Sequence, residues 1–469
     1  MMNFRKLLYQ FTFLLLTCTQ AISINAQNLV VPNARQVAWQ QAELGVVFHY
    51  DLHVFDGKKY SQTRNRLEPM PDIQIFNPEK LNVEQWVLSA KAMGAKFAII
   101  TATHETGFAI FPSKYNPYNV SQLSFKDGKA DLLKDFVEAC RKHGIKPGVY
   151  VGIRWNSFFG VHDFKVDGTG QMQKNRQEYY NRMAEGMVQE ICTNYGELFE
   201  IWFDGGASHP DKGAPNVLPI VQKYQPNCLF YHNDQLAEAR WAGSESGTVG
   251  YPNWSTFTYN FTGSGESAPK PISENNYYLL KHGDPEGKYF VPAMSDAPLR
   301  GANGRHEWFW EPGDENSVYP LNELVDMYCK SVGRNSTLIM GITPDNTGLV
   351  PKGDAKRMEE FGEKIKTLFD IPLAKTQTEG KQARLQLKGN KAVNYIMIQE
   401  DIALGHRISE FIVEAKIGKQ WKEIDRGTAV GHKYIKKLAQ TCNAKEFRLT
   451  VLQAKATPKI INFSIYDTE

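Results

Sequence analysis

The sequence predicts an α/β fold: a (β/α)8-like TIM barrel, irregular or short of one unit, followed by a carboxyl-terminal antiparallel β-sandwich. Three observations point there. From about residue 33 to 368, short β-branched or aromatic runs alternate with longer stretches of helical period. Roughly seven such repeats precede residue 368, close to the eight that a closed barrel needs. Beyond Ile371 the texture changes to short alternating runs separated by turn residues.

The predicted barrel strands are Val46 to His49, Phe97 to Thr101, Gly148 to Gly152, Phe199 to Phe203, Leu229 to Tyr231, Tyr289 to Val291 and Leu338 to Met340. Helical period marks Val83 to Met93, Leu132 to His143, Tyr179 to Asn194 and Leu321 to Val332. An open doubly wound sheet is the competing architecture, but no Gly-rich phosphate fingerprint follows the first strand. In the second domain the strands are Arg384 to Leu387, Tyr395 to Gln399, Phe411 to Ile417, Phe447 to Leu452 and Ile460 to Ile465. The expected division is therefore 27–370 for the barrel and 371–469 for the sandwich.

Composition narrows the function. With 42% hydrophobic and 22% charged residues the chain is globular, and a net charge of +3 gives no field for holding nucleic acid. Aromatic residues make up 12%, which suits either ordinary packing or a sugar-binding surface. The amino terminus reads as a secretory signal: Arg5 and Lys6, an apolar run from Leu7 to Leu16, then small and polar residues to Ala26. The expectation is export to the periplasm or medium without a membrane span. A lipoprotein anchored through Cys18 is the alternative, disfavoured by Thr17 just before it. Cys140, Cys192, Cys228, Cys329 and Cys442 are widely spaced and form neither a metal motif nor a disulfide framework, so buried free thiols are expected.

Barrel enzymes build their sites at the carboxyl ends of the strands. Here those positions hold His49, His104 and Glu105, Arg154 and Trp155, Asp204, His232, Asn233 and Asp234, and later Asp296 and Arg300. Any one could be a cap or turn residue. Their recurrence after successive strands points to a polar, aromatic pocket.

Several of these segments resemble family 29 α-L-fucosidases. Gly45 to His49 (GVVFH) is similar to the family's first-strand motif, and Ala95 to His104 with Gly107, Phe108 and Ser113 to Tyr115 to its second. Asp131 to Tyr150 resembles the next helix and strand. Glu200 to Gly206 (EIWFDGG) resembles the strand that delivers the nucleophilic aspartate. Arg240 to Gly247, running on to Thr256, and Lys330 to Asn335, running on to Gly348, resemble the branch that prefers α1,3- or α1,4-linked fucose. So does the carboxyl-terminal domain, with Gln399 to Ile402 and Trp421.

The resemblance implies a retaining exo-hydrolase of terminal fucose on glycans, without metal or cofactor, in which Asp204 forms a covalent glycosyl intermediate and a glutamic acid serves as acid and base. His49 and His104 would bind sugar hydroxyls, and Trp155, Trp202 or Trp308 would cover the apolar edge of the ring. Two departures touch the site. Glu105 stands where the family has a second histidine, and Met294 stands where the acid is expected. Glu307, beside Trp308, Phe309 and Trp310, is the first candidate for the acid because apolar rings raise a carboxyl pKa. Glu105, Glu245, Glu266 and Glu311 are the reserves. The same departures admit a related L-sugar such as α-L-galactose, or a sugar-binding protein without hydrolytic activity.

Overall fold

The computed structural model describes residues 29–467 apart from 234, 237, 259–273 and 306. The expected signal segment, Glu266 and Asp234 lie outside the described residues. In chain order the elements are α1 (Ala34–Ala42), β1 (Leu44–Phe48), α2 (Gln62–Leu67), α3 (Val83–Met93), β2 (Phe97–Thr103), α4 (Leu132–His143) and β3 (Lys146–Val151). A small hairpin follows, β4 (Val161–His162) and β5 (Lys165–Val166), then α5 (Gly170–Asn194), β6 (Glu200–Ala207), α6 (Leu218–Tyr224), β7 (Leu229–Asn233) and β8 (Arg240–Trp241). Next come β9 (Thr256–Phe257), α7 (Glu274–His282), β10 (Tyr289–Phe290), β11 (Ala293–Pro298), α8 (Leu321–Lys330), β12 (Ser336–Ile342) and α9 (Lys352–Phe369). The last strands are β13 (Ala374–Glu379), β14 (Gln382–Glu400), β15 (Ile408–Ile417), β16 (Gln420–Gly427), β17 (Tyr434–Ala454) and β18 (Lys459–Tyr466).

Eight parallel strands form the barrel sheet in the order β7-β6-β3-β2-β1-β12-β11-β8, with no ladder between β7 and β8 among the described residues. That seam is the irregular unit: only the short segment 234–239 separates these two strands, and none of its described residues is helical. Sequence signals set the helix ends elsewhere. Asn82 accepts from the Gln85 amide to start α3 and Asp131 from the Lys134 amide to start α4, while Gly94 and Gly144 stop them in the left-handed region. Each such cap is worth about 1 kcal/mol.

Strand alternation divides the core into two layers. On β6, Ile201 and Phe203 pack outward under the helices, whereas Trp202 joins Val47, Ile99, Tyr150, Tyr231, Met294 and Ile339 inside the barrel. Trp39 of α1 closes the bottom and donates to Glu200 Oε2 at 2.7 Å. Two expected strand assignments change. Tyr289 to Val291 is not a barrel strand: β10 pairs antiparallel with β9. The barrel strand is β11, just beyond Pro292, and Met294 is its second residue, fully buried in the interior layer rather than at the strand end.

The carboxyl-terminal part is one antiparallel sheet, β13-β18-β14-β17-β15-β16. β14 and β17 run 19 and 21 residues and shift register near Gln386 and Val393, so each long strand serves both halves of the sandwich. Val393, Ile396, Phe411, Leu449 and Phe463 fill its core. Phe369 of α9 packs the sandwich strands β14 and β18 against the barrel core, its ring 5.5 Å from Tyr395 and 5.6 Å from Tyr466.

Asn335, held at φ 61°, ties the two parts polar group by polar group. Its Oδ1 accepts from Gln40 Nε2 and the His432 amide, both at 2.7 Å. Its Nδ2 donates to Ser255 Oγ at 2.9 Å and the Asn253 carbonyl at 3.1 Å. The five described cysteines are free, three of them buried. No helix among the described residues is long and apolar enough to cross a membrane.

Candidate active site

Asp204 sits at the carboxyl end of β6, on the same inward parity as Trp202. The β6 to β7 register shifts between Trp202 and Ala207, and Gly205 and Gly206 take φ of 69° and 98° across that bulge. A side chain at Gly205 would meet Arg154 Cδ at 2.6 Å, so glycine is required where Arg154 donates to the Gly205 carbonyl. The bulge aims the Asp204 carboxylate into the barrel mouth. There Oδ2 accepts from the Tyr150 hydroxyl at 2.9 Å and Oδ1 from the Gly205 amide at 2.8 Å.

A cluster of rings surrounds this carboxylate. His104 stacks on Tyr150 with centroids 5.2 Å apart, and His49 lies 5.6 Å from Tyr150 and 5.2 Å from both Trp308 and Phe309. Gly341 makes room for Trp308: a Cβ there would lie 2.5 Å from the indole. Burial pushes His49 down to about 4 against the opposing pull of Asp204, and burial likewise holds His104 well below the ordinary imidazole value. Both rings are therefore neutral near pH 7, each able to donate one hydrogen bond and accept another.

Buried polar atoms almost always find partners. Here His49 Nδ1, His104 Nδ1, Glu105 Oε2 and Trp202 Nε1 are all buried without one. They come from β6 and from the ends of β1 and β2, on or inside the mouth that Asp204 faces. Such a set is what a polyhydroxylated ligand satisfies when it enters.

Glu105 is buried and its Oε1 accepts from Arg66 Nε at 2.6 Å. Burial pushes its carboxyl up to about 7, Arg66 opposing and Asp204 and Asp51 adding. The Arg66 guanidinium, from the last turn of α2, lies 4.5 Å over the Trp155 ring, which places Trp155 at the rim rather than among the inner rings. Arg300 contributes nothing to the mouth, because it makes a fully buried two-point ion pair with Asp354.

The loop after β11 divides its side chains. Trp308 and Phe309 reach the histidines, whereas Glu307 turns to its own loop, with Arg305 Nε at 2.8 Å from Oε1. Burial pushes the Glu307 carboxyl up, Asp314 adding and Arg305 opposing. Glu307, Glu311 and Asp314 oxygens lie within 4.8 Å of one another, close enough for a cation, but Arg305 already pairs with two of the three. Glu311 also accepts from the Tyr60 amide at 2.8 Å.

Glu245 stands differently. The segment after β8 is tied along β11 by the Gly247 amide donating to the Asp296 carbonyl at 2.7 Å. Burial first, then Glu245, raises Asp296 well above the usual carboxylate range, with Asp204 adding. Tyr60 is raised by burial, Glu105, Asp204 and Glu245, with Arg66 opposing. Glu245 and Asp204 thus act on the same two groups. Sequence reasoning missed Tyr150, Tyr60, Phe309 and Arg66 as parts of the site. For Tyr150 the signal was present in its inward parity on β3; for Arg66 there was none.

Comparison with known proteins gives the family. The family model for alpha-L-fucosidases matches residues 21–367. A putative alpha-L-fucosidase of Bacteroides thetaiotaomicron VPI-5482, solved as a crystal structure, is 53% identical with a TM-score of 0.91, covering 94% of this chain and 100% of its own. Alpha-L-fucosidase 1 of Arabidopsis thaliana is 26% identical over 93% of this chain and 88% of its own, and the putative alpha-L-fucosidase 1 of Oryza sativa subsp. japonica 27% identical over 93% and 85%. The chain therefore belongs to the α-L-fucosidase family, glycoside hydrolase family 29, and is an enzyme of glycoside hydrolysis.

Proposed function

We propose that the enzyme is a retaining exo-α-L-fucosidase acting on fucosylated oligosaccharides or glycoconjugates, with Asp204 as nucleophile. The observation that carries this is the Asp204 carboxylate, fixed by Tyr150 and Gly205 at a mouth lined with unpartnered sugar-compatible polar atoms. Asp204 attacks the anomeric carbon as the bond to the leaving oxygen breaks, and an acid supplies that oxygen with its proton. The same residue, now a base, takes a proton from water, which attacks the anomeric carbon and frees Asp204. His49, His104 and Trp202 bind hydroxyls while Trp308 covers the apolar edge.

For the acid, the groups that its charge bears on favour Glu245 over Glu307. The Glu245 charge bears on Tyr60 and Asp296, the two groups that Asp204 also bears on, whereas Glu307 is ion-paired to Arg305 within its own loop. Glu245→Ala is expected to lower kcat on oligosaccharides by about 10²–10⁴-fold, and far less on 4-nitrophenyl α-L-fucoside, whose leaving group needs little protonation. Azide should then rescue it to give fucosyl azide of unchanged anomeric configuration, because two inversions occur. Asp204→Asn should lose turnover while keeping its melting temperature. Azide rescue of Glu307→Ala instead of Glu245→Ala would reverse the assignment, and full activity of Asp204→Asn would end it.

The preference for α1,3- and α1,4-linked fucose rests on the resemblance of 240–256 and 330–348, checked by comparing turnover of branched oligosaccharides with aryl fucosides. Two residues of those segments, Arg240 and Asn335, serve the framework: Arg240 donates to the Val291 and Leu280 carbonyls. Export is likewise our reading of the first 26 residues, tested by whether the amino terminus of protein recovered from the periplasm or medium is Gln27.

A further inference from the structure

The reading of the pocket as a fucose site leaves Glu105 and Arg66 without an explanation. Glu105 Oε2 is buried and unpartnered although its other oxygen is held at 2.6 Å. Both Tyr60 and Tyr150 feel the Glu105 charge together with that of Asp204, so the carboxyl lies over the same mouth. Arg66 reaches it from α2, its plane against Trp155 and its Nε committed to Oε1. A guanidinium held by its face and its Nε edge fixes the orientation of its carboxylate in a way that an ammonium cannot.

We propose that Glu105 and Arg66 form one specificity-determining unit: Glu105 Oε2 accepts a hydrogen bond from one hydroxyl of the bound deoxy-sugar, and Arg66 is the positioning residue that fixes that oxygen. The inference rests on the fucosidase reading and extends it. A neutral histidine can meet a hydroxyl as donor or acceptor, whereas a carboxylate only accepts once ionised, the form that the Arg66 pair favours against the upward push of burial. Above about pH 7, where Glu105 is ionised, the pocket therefore demands that one particular hydroxyl donate. Removing that hydroxyl leaves a buried charge unpaired, the situation in which binding sites discriminate most strongly.

The test is a set of 4-nitrophenyl α-L-fucosides lacking, or bearing fluorine in place of, each ring hydroxyl in turn, assayed with wild type, Glu105→Gln, Glu105→Ala, Arg66→Met and Arg66→Lys. Wild type is expected to penalise one position by about 10²-fold in kcat/KM beyond the others. In Glu105→Ala that penalty should collapse to within a few-fold, with the loss on the parent fucoside falling mainly on KM. Arg66→Met should lose most of the same discrimination and Arg66→Lys should restore only part of it. Glu105→Gln, close to isosteric, carries the test if the alanine variant fails to fold. An unchanged pattern of penalties in folded, active variants would overturn the proposal alone. A wild type inactive on every fucoside, or an active Asp204→Asn, would instead overturn the fucosidase reading beneath it.

Discussion

Glu105 in the barrel mouth and Glu400 in the sandwich are two buried carboxyls, each pushed up to about 7 chiefly by burial. Their hydrogen bonding differs. Glu400 is closed: Oε1 accepts from the Gly431 amide at 2.9 Å, and Oε2 from the amides of Arg407 and Ile408 at 3.1 and 3.0 Å. Glu105 is half open, with Oε2 awaiting a donor. Burial and a raised pKa therefore do not by themselves distinguish a site from a strut, nor does one open oxygen, since Glu200 Oε1 at the barrel bottom also lacks a partner. An open oxygen at the mouth that Asp204 faces is what sets Glu105 apart.

If closed nodes are struts, disrupting one should cost stability and spare the kinetics of the folded fraction. The largest effect is expected at Asn335→Ala, which strands buried partners on both sides of the domain junction. About 3 kcal/mol or more should be lost, read from the urea midpoint, with KM unchanged. A large change in KM at normal stability would erase the distinction between the two regions.

Glu400→Gln should cost less, about 1–3 kcal/mol, and its cost should depend on pH. The folded carboxyl titrates at about 7 against an ordinary 4.5, so between these values the native state keeps a proton that the unfolded chain has lost. The native state therefore loses stability from this group as pH rises through that window. Relative to wild type, the variant should show a flatter decline between about pH 5 and about pH 8. Parallel profiles would mean that Glu400 does not titrate there.

The smallest effect on stability is expected at Gly341→Ala in the mouth. The added methyl displaces Trp308, so kcat/KM should fall about ten-fold while the melting temperature moves little. An unaltered kcat/KM would remove Trp308 from the sugar site.

The chemistry at strand ends was legible where sequence and strand coincide. Glu200 to Gly206 reads as an apolar strand ending in Asp-Gly-Gly, and the bulge places Asp204 at the mouth as that pattern implies. β11 was not legible, because Ala293 to Pro298 mixes Ser, Asp and Pro with few β-formers, while the neighbouring Tyr289 to Val291 imitates a barrel strand. β8, two residues long, carries too little periodicity to be seen. Assigning the wrong strand moved Met294 to an apparent strand end and turned the search for an acid to the loop that follows. Arg66 was beyond reach for another reason: its partner Glu105 is 39 residues away, and only the packing of α2 brings them together.

The tie between Tyr60 and Glu311 has a consequence for how this mouth can change. Barrel enzymes diversify by altering one loop while leaving the others alone. Here the loop after β11 holds the segment after β1 through Glu311 and the Tyr60 amide, and that segment holds the end of β2 through Arg66 and Glu105. Three of the eight loops are coupled in series. A graft of the 300–318 loop from a relative should therefore behave epistatically, tolerated only with matching residues around 60–66. Removing Arg66 would leave the Glu105 carboxyl buried without its ion pair, so positions 66 and 105 should tolerate change only together.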